Sequence, residues 1–201
     1  MAQQSLYYRT ELETKISVFP NQLNGDIDDH ILANLKEKVE GKTMENGLII
    51  RVNELIDYWN GVIDGINNMG TTVFNVKYEC YICSPTKNLE VTCRVQSIIK
   101  GYIVSMNGPL SSAVQISMID DKFFNVNGDT VTHIESDRVI SHGDYIKVSI
   151  AGINSMFKKQ NIMVYGKLLG FATDDEIEIY KEEQRLVKGL NRNDSNESRF
   201  I

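Results

Sequence analysis

Beyond residue 84 the chain changes rhythm, and that rhythm limits the folds open to it. Ser84-Pro85-Thr86-Lys87-Asn88 is turn chemistry and the best candidate for a domain boundary. Leu89, Val91, Cys93 and Val95 then alternate with Glu90, Thr92, Arg94 and Gln96, the period-two pattern of a half-buried strand. Residues 101–106 follow, ended by Asn107-Gly108-Pro109, and a short piece at 113–116 leads into Asp120-Asp121-Lys122-Phe123. His142-Gly143-Asp144 turns into residues 145–153, for which 162–169 can return as hairpin partner. About five short strands in roughly 80 residues suit a small closed barrel, and the OB-fold is the commonest solution of that size.

The first 84 residues have a different texture. A β-like stretch at 7–18 is closed by Pro20. A helix follows, with Asp26 as N-cap and Asp29 favouring its positive end. Ile27, Ile31, Leu35 and Val39 recur every four residues, with Leu32 beside them and Gly41 at the C-terminal stop. Residues 48–52 read as a short strand. The stretch 57–70 reads as a loop, yet it carries Trp59, Val62 and Ile66, apolar side chains that a loop would bury against its own domain or against a partner. In 74–82, Phe74, Val76, Tyr78, Cys80 and Ile82 share one face of a strand.

At the far end, Thr173-Asp174-Asp175-Glu176 fits a Thr-x-x-Glu capping box and predicts a charged helix to about residue 190. Residues 191–201 are polar and expected to be mobile. The expected fold is therefore α+β. An antiparallel sheet with one helix occupies 1–84, an OB-type barrel 85–172, and a charged helix and tail 173–201.

With 42% hydrophobic and 24% charged residues, the chain has material for ordinary soluble cores. No apolar run approaches the roughly 18–20 residues of a membrane span. The opening Met1-Ala2-Gln3-Gln4-Ser5 lacks the basic and apolar regions of a secretory signal, so a soluble protein inside a cell is expected, with no membrane partner. Three cysteines are too few for a disulfide framework. A net charge of −6 argues against binding nucleic acid by bulk electrostatics, so any RNA contact must use a local patch.

Catalytic and metal chemistry find little support. Cys80 and Cys83 form a C-x-x-C pair, but residues three apart on a strand point to opposite faces, and no second pair completes a tetrahedral site. His30, His133 and His142 lie in separate contexts, without a nucleophile at motif spacing. Neither a Walker loop nor a dinucleotide fingerprint is present, and no cofactor is expected. The RNA-binding candidates are Arg94, Lys100 and Tyr102 on the first two barrel strands, Lys147 on a later one, and Lys158-Lys159 in the last hairpin loop. The same residues also fit a solvated face, with Tyr102 in the core.

The run Gln22-Leu23-Asn24-Gly25-Asp26-Ile27-Asp28-Asp29-His30, continuing to Val39-Glu40-Gly41, resembles the first helix of the seventh-subunit family of eukaryotic RNA polymerase II, to which the archaeal stalk counterpart also belongs. Glu11-Leu12-Glu13, Ile16-Ser17 and Phe74-Asn75-Val76-Lys77-Tyr78 are similar to strands of its N-terminal tip domain. Gly108-Pro109-Leu110, Asp120-Asp121-Lys122-Phe123, Gly143-Asp144-Tyr145-Ile146 and Ile150-Ala151-Gly152 resemble its OB (S1-like) domain. The resemblance runs in order over 6–172. It fits poorly at 126–137, and the tail has no counterpart in the short family members.

The resemblance implies a non-catalytic stalk subunit of a DNA-dependent RNA polymerase. In that family the tip docks on the polymerase core near the clamp, a smaller partner subunit packs along it, and the OB domain faces nascent RNA. By position, core contacts would come from Ile16, Val18, Phe19 and Pro20 and from the loop bearing Trp59, Val62 and Ile66. Compact length and the 120–123 segment favour the messenger-RNA-synthesising type. The divergence fits a virus-encoded polymerase, placing the protein in cytoplasm or virion, as well as a fast-evolving cellular one in the nucleus. The alternative is a free-standing S1/OB single-stranded RNA-binding protein of translation or RNA decay. An enzyme built on an OB scaffold is the remote third reading.

Overall fold

The computed structural model describes residues 5–44, 47–63, 70–154 and 161–192, the side chains of the last helix through Arg185 and at Val187. The chain divides into two compact units, Tyr7–Cys83 and the part from Ser84 onward, which Leu6 joins through its carbonyl on the Ser84 N–H at 3.0 Å.

In the first unit, β1 (Tyr7–Val18), α1 (Ile27–Val39), β2 (Thr43–Met44), β3 (Gly47–Ile63) and β4 (Thr72–Cys83) form an antiparallel sheet of order β1-β4-β3-β2 with the helix on one face. The core follows from the two periodicities. Ile31, Leu35 and Val39 of α1 are fully buried against Val76, Tyr78, Cys80 and Ile82, the face expected of β4. Burying such aliphatic side chains contributes roughly 1.5–3 kcal/mol each. The expected Asp26 cap is not formed. Asp26 instead donates its N–H to Asn24 Oδ1 at 2.9 Å, and its side chain makes no cap bond. Gly41 stands one residue beyond the C-cap at φ +68°, where a side chain would be strained.

Strand β3 differs most from expectation. Residues 57–63, read from sequence as loop, continue one strand of 17 residues. Its register against β4 shifts at 49/51, 52/54, 55/57 and 59/62. Each shift inserts an unpaired residue, as β-bulges do. Ile49, Val52, Leu55 and Tyr58 therefore reach the core side at a spacing of three, so no period-two pattern marks the strand in sequence. Side chains stabilise the irregularity. The Val52 N–H donates to Glu40 Oε1 at 2.7 Å, and the Tyr58 hydroxyl donates to Asp28 Oδ1 at 2.7 Å.

In the second unit, β5 (Glu90–Ile99), β6 (Tyr102–Asn107) and β7 (Leu110–Gln115) form a meander. The strand expected at 113–116 thus starts earlier, and Ile116 opens a 3-10 turn, Ile116–Met118. Next come β8 (Phe124–Asn127), β9 (Thr130–His133) and β10 (Arg138–Val139), a separate three-stranded sheet over the stretch that fits the family pattern poorly. The hairpin β11 (Tyr145–Asn154) and β12 (Ile162–Phe171) then closes a barrel of order β11-β12-β7-β6-β5, with β11 also paired to β5 and β12 parallel to β7. That circuit is the five-stranded OB arrangement.

The small sheet is fastened to the barrel by a chain of rings and charges. His133 lies edge-on to Phe124 at 5.2 Å and to Phe171 at 6.1 Å, the Arg138 guanidinium sits 4.3 Å from the Phe171 centroid, and Arg138 pairs with Asp144 at 2.6 Å. The capping box opens α2 (Asp174–Arg192). Thr173 N–H donates to Glu176 Oε2 at 3.0 Å, and Glu176 N–H to Thr173 Oγ1 at 3.4 Å. The expectation for residues 193–201 falls outside the described residues.

Barrel closure depends on Gly166. A Cβ there would stand 2.1 Å from Val148 Cγ1 and 2.8 Å from Ser112 Oγ. Replacing Gly166 with alanine should lower stability by about 1–3 kcal/mol, the usual cost of overpacking. Urea denaturation checks this, and an unchanged midpoint would mean the strands can part to admit a methyl group.

Candidate functional site

One candidate surface lies in the first unit, at the end of the sheet where β3 turns into β4. Val18, Thr72 and Ile63 form one row across three strands, so Phe19, just past β1, emerges at the same end as Val62 and Ile63. Phe19 is 50% exposed, Trp59 37%, Val62 63% and Ile63 69%. Leu23 is also exposed. Further along the open sheet face, Arg9 pairs with Glu79 and Lys77 with Glu11, and at the far end Tyr7 stacks on Tyr81 at 5.9 Å.

Of the residues proposed for docking, Phe19, Trp59 and Val62 stand at this surface, and Pro20 opens a 3-10 turn beside Gly70. Ile16 and Val18 do not. They are 1% and 0% exposed, because even-numbered residues of β1 point into the core beneath α1. Ile66 lies outside the described residues. Ile63 and Leu23 were missed, and nothing short of the strand register marks Ile63 as the row-mate of Val18.

The second candidate surface is the outer wall of the barrel. Arg94, Lys100 and Tyr102 are all exposed, Lys100 at φ +50° in the β5–β6 turn. Asp129 Oδ1 accepts from the Gly101 N–H at 3.3 Å, which brings one carboxylate to that turn. Lys158 and Lys159 lie outside the described residues. Cross-strand pairing lines up three outward rows. Arg94 stands beside Met106, Ser111 and Met163; Ser97 beside Val104, Ala113 and Tyr165; and Ile99 beside Tyr102 and Gln115. Lys167 follows on β12, exposed and outward. Tyr165 and Lys167 were not singled out in sequence, because only the parallel β7–β12 pairing brings them to this wall.

Lys147 stands elsewhere. On β11 its ammonium lies 2.9 Å from Glu90 and 2.8 Å from Glu176. These carboxylates, Glu176 before Glu90, hold its pKa above the ordinary lysine value. Helix α2 packs here. Tyr180 meets Tyr145 edge-on at 5.2 Å, and Gln184 Nε2 donates to Asn107 Oδ1 at 2.7 Å. Burial, then the neighbouring Tyr145, push the Tyr180 hydroxyl up to about 12. A lysine already matched by two carboxylates has little charge left for a polyanion.

The cysteines are structural in geometry. Cys80 faces the helix side of the sheet with its thiol 3.6 Å from the Thr10 carbonyl, Cys83 faces the other side, and none of the three forms a disulfide. Burial raises the Cys80 thiol to about 11 and Cys93 to about 12, which keeps both protonated at neutral pH. Among the described residues no three His, Cys, Asp or Glu side chains gather as a metal site.

The chain is 44% identical, over the full length of both, to a protein of Acanthamoeba polyphaga mimivirus assigned by its name to the DNA-directed RNA polymerase as subunit L376. It is 26% identical over 150 residues to the DNA-directed RNA polymerase II subunit rpb7 of Schizosaccharomyces pombe, covering 73% of this chain and 86% of that protein. No family model matches. The viral alignment includes α2.

Two carboxylates of α2 should respond oppositely. Burial alone would raise the Glu176 carboxyl, but Lys147 and the Thr173 N–H outweigh it and hold it low, whereas burial raises Glu183 against the opposing bond from Asn107. Acidification through the carboxylate range therefore costs the Glu176 contribution while relieving Glu183. At pH 7, Glu176→Gln should lower stability by about 1 kcal/mol, the usual worth of a cap, and Glu183→Gln should raise the Tm. Thermal unfolding followed by circular dichroism checks both signs. No shift in either variant would mean that α2 docking adds nothing to stability.

Proposed function

The chain belongs to the family of DNA-directed RNA polymerase subunits that includes the mimivirus protein, and on that premise we propose that it is the non-catalytic stalk subunit of a virus-encoded polymerase. It docks on the polymerase core near the clamp, together with a smaller partner subunit. The protein supports initiation and binds emerging RNA through its barrel, in the cytoplasm or the virion.

The observation that carries this reading is the apolar end of the first unit. Phe19, Trp59, Val62 and Ile63 leave large hydrophobic side chains exposed at one end of the sheet, Trp59 and Val62 on its open face and Ile63 on the helix side. Contiguous exposed apolar surface with a polar rim marks a protein interface. Tryptophan is also among the residue types that most often anchor such interfaces. The barrel supports the RNA part through its OB topology, whose outer face is a general platform for single strands.

The test is affinity purification of the tagged chain from the cells in which the polymerase assembles, with co-eluting proteins identified by mass. Two very large polymerase subunits and one small partner are expected. Ribosomal or RNA-decay proteins in their place would overturn the stalk reading and favour a free-standing RNA-binding protein. Trp59→Asp combined with Val62→Asp should weaken recovery of the large subunits on the order of a hundredfold or more, since an unpaired charge buried at an interface costs about 3–5 kcal/mol. Circular dichroism should show the variant folded. Full recovery by a folded double variant would place the interface elsewhere.

A further inference from the structure

We propose that the outward face of the small sheet β8-β9-β10 is a docking site for one segment of a partner protein, an amphipathic helix whose apolar stripe is flanked by lysine and arginine. This inference goes beyond the stalk reading and does not require it. The register sorts the side chains of the sheet into two faces. Phe124, Val131 and His133 turn toward the barrel, and Arg138, paired with His133, lies over Phe171 on the same side. Their neighbours along each strand therefore point outward. Asn125, Thr132 and Val139 form one outward row, and Asn127 and Thr130 the next. Phe123 and Ile134 extend the pairing by one more row, since the Ile134 N–H donates to the Phe123 carbonyl at 2.9 Å. Phe123 and Ile134 are each 51% exposed, and Val139 is 44% exposed.

No residue of this outward face is charged, although 24% of the chain is. The charges stand around it. Asp120, Asp121 and Lys122 precede Phe123, Asp129 lies in the β8–β9 turn, and Glu135 and Asp137 lie in the β9–β10 turn. None of these carboxylates has an ion-pair partner among the described residues, and the Arg138 guanidinium is taken by Asp144. An apolar cluster bordered by carboxylates selects an apolar surface with a basic border. The same border repels phosphates, so neither RNA nor an anionic lipid surface fits. A second copy does not fit either, because a two-fold contact would set the carboxylates against themselves. Size decides the kind of partner. Three strands about 4.8 Å apart, with about 3.4 Å per residue from 123 to 127, make a face of about 10 by 14 Å. That matches the width of a single helix, about 10 Å, and falls short of a domain-sized interface. Strand addition is disfavoured, since the outer strands β8 and β10 are four and two residues long.

The experiment uses the full tagged chain carrying the photocrosslinker p-benzoylphenylalanine at Asn125, in the cells in which the polymerase assembles. Ultraviolet light should yield a covalent adduct with a protein. Mass spectrometry should place it in a segment where Lys or Arg flank apolar residues at helical spacing. Phe123→Ser with Ile134→Ser should lower the adduct yield about tenfold or more, the loss expected when interface anchors are truncated. Asp121→Lys with Glu135→Lys should lower it as well. Glu178→Lys with Glu182→Lys makes the same charge change at exposed positions of α2 and should leave the yield unchanged. Circular dichroism confirms that each variant is folded, and the same probe at Thr132 gives an independent reading if Asn125 does not tolerate it. An adduct with RNA, with a second copy or with nothing at either position overturns the proposal. So does a protein adduct that survives either pair of substitutions at the face. Failure to recover polymerase with the adduct intact would instead count against the stalk reading alone.

Discussion

Closure of the barrel by the parallel pairing of β12 with β7 is the contact on which the second unit depends. Four of its five strand pairs are antiparallel neighbours, and the fifth must bring the last strand beside the third. At that seam Gly166 lets the backbone sit against Val148 and Ser112 where a side chain would collide. Closure removes the free edges that a five-stranded sheet would otherwise expose. It also decides which side chains share the outer wall. Tyr165 and Lys167 join Tyr102 through strands that are distant in sequence.

The first unit solves a different problem. A long strand opposite a helix must keep its apolar residues on the helix side, yet β3 runs 17 residues past a sheet that twists. Repeated bulges reset the strand so that Ile49, Val52, Leu55 and Tyr58 all reach the core. The last bulge carries Asn60 at φ +56° and turns Trp59 and Val62 onto the open face. The same irregularity that stabilises the core therefore creates the exposed apolar end used by the docking proposal.

Helix α2 closes over charged and aromatic groups of β5 and β11. Lys147, Glu90 and Glu176 form a closed set of charges beneath the helix, and Asn107 links Gln184 to the Thr92 carbonyl. The helix covers cationic and polar groups on one side, and the aromatic wall is left open on the other.

Local periodicity was enough to reveal α1, β4, the sequence of barrel strands and the Thr173–Glu176 cap, because each is set by residues within a few positions of one another. The order of motifs along the chain was also enough to suggest the polymerase family before any fold was known. What the sequence left undetermined depends on partners far along the chain. Bulges in β3 are defined only against β4, so residues 57–63 looked like a loop. Ile16 and Val18 looked available until the sheet placed them under α1, while their neighbour Phe19 remained outside. Lys147 looked like a ligand for RNA until two carboxylates, one 57 residues before it and one 29 after, closed on it. Sequence specifies how each segment can fold. Which charges are matched and which aromatic residues stay exposed is settled only when those segments pack.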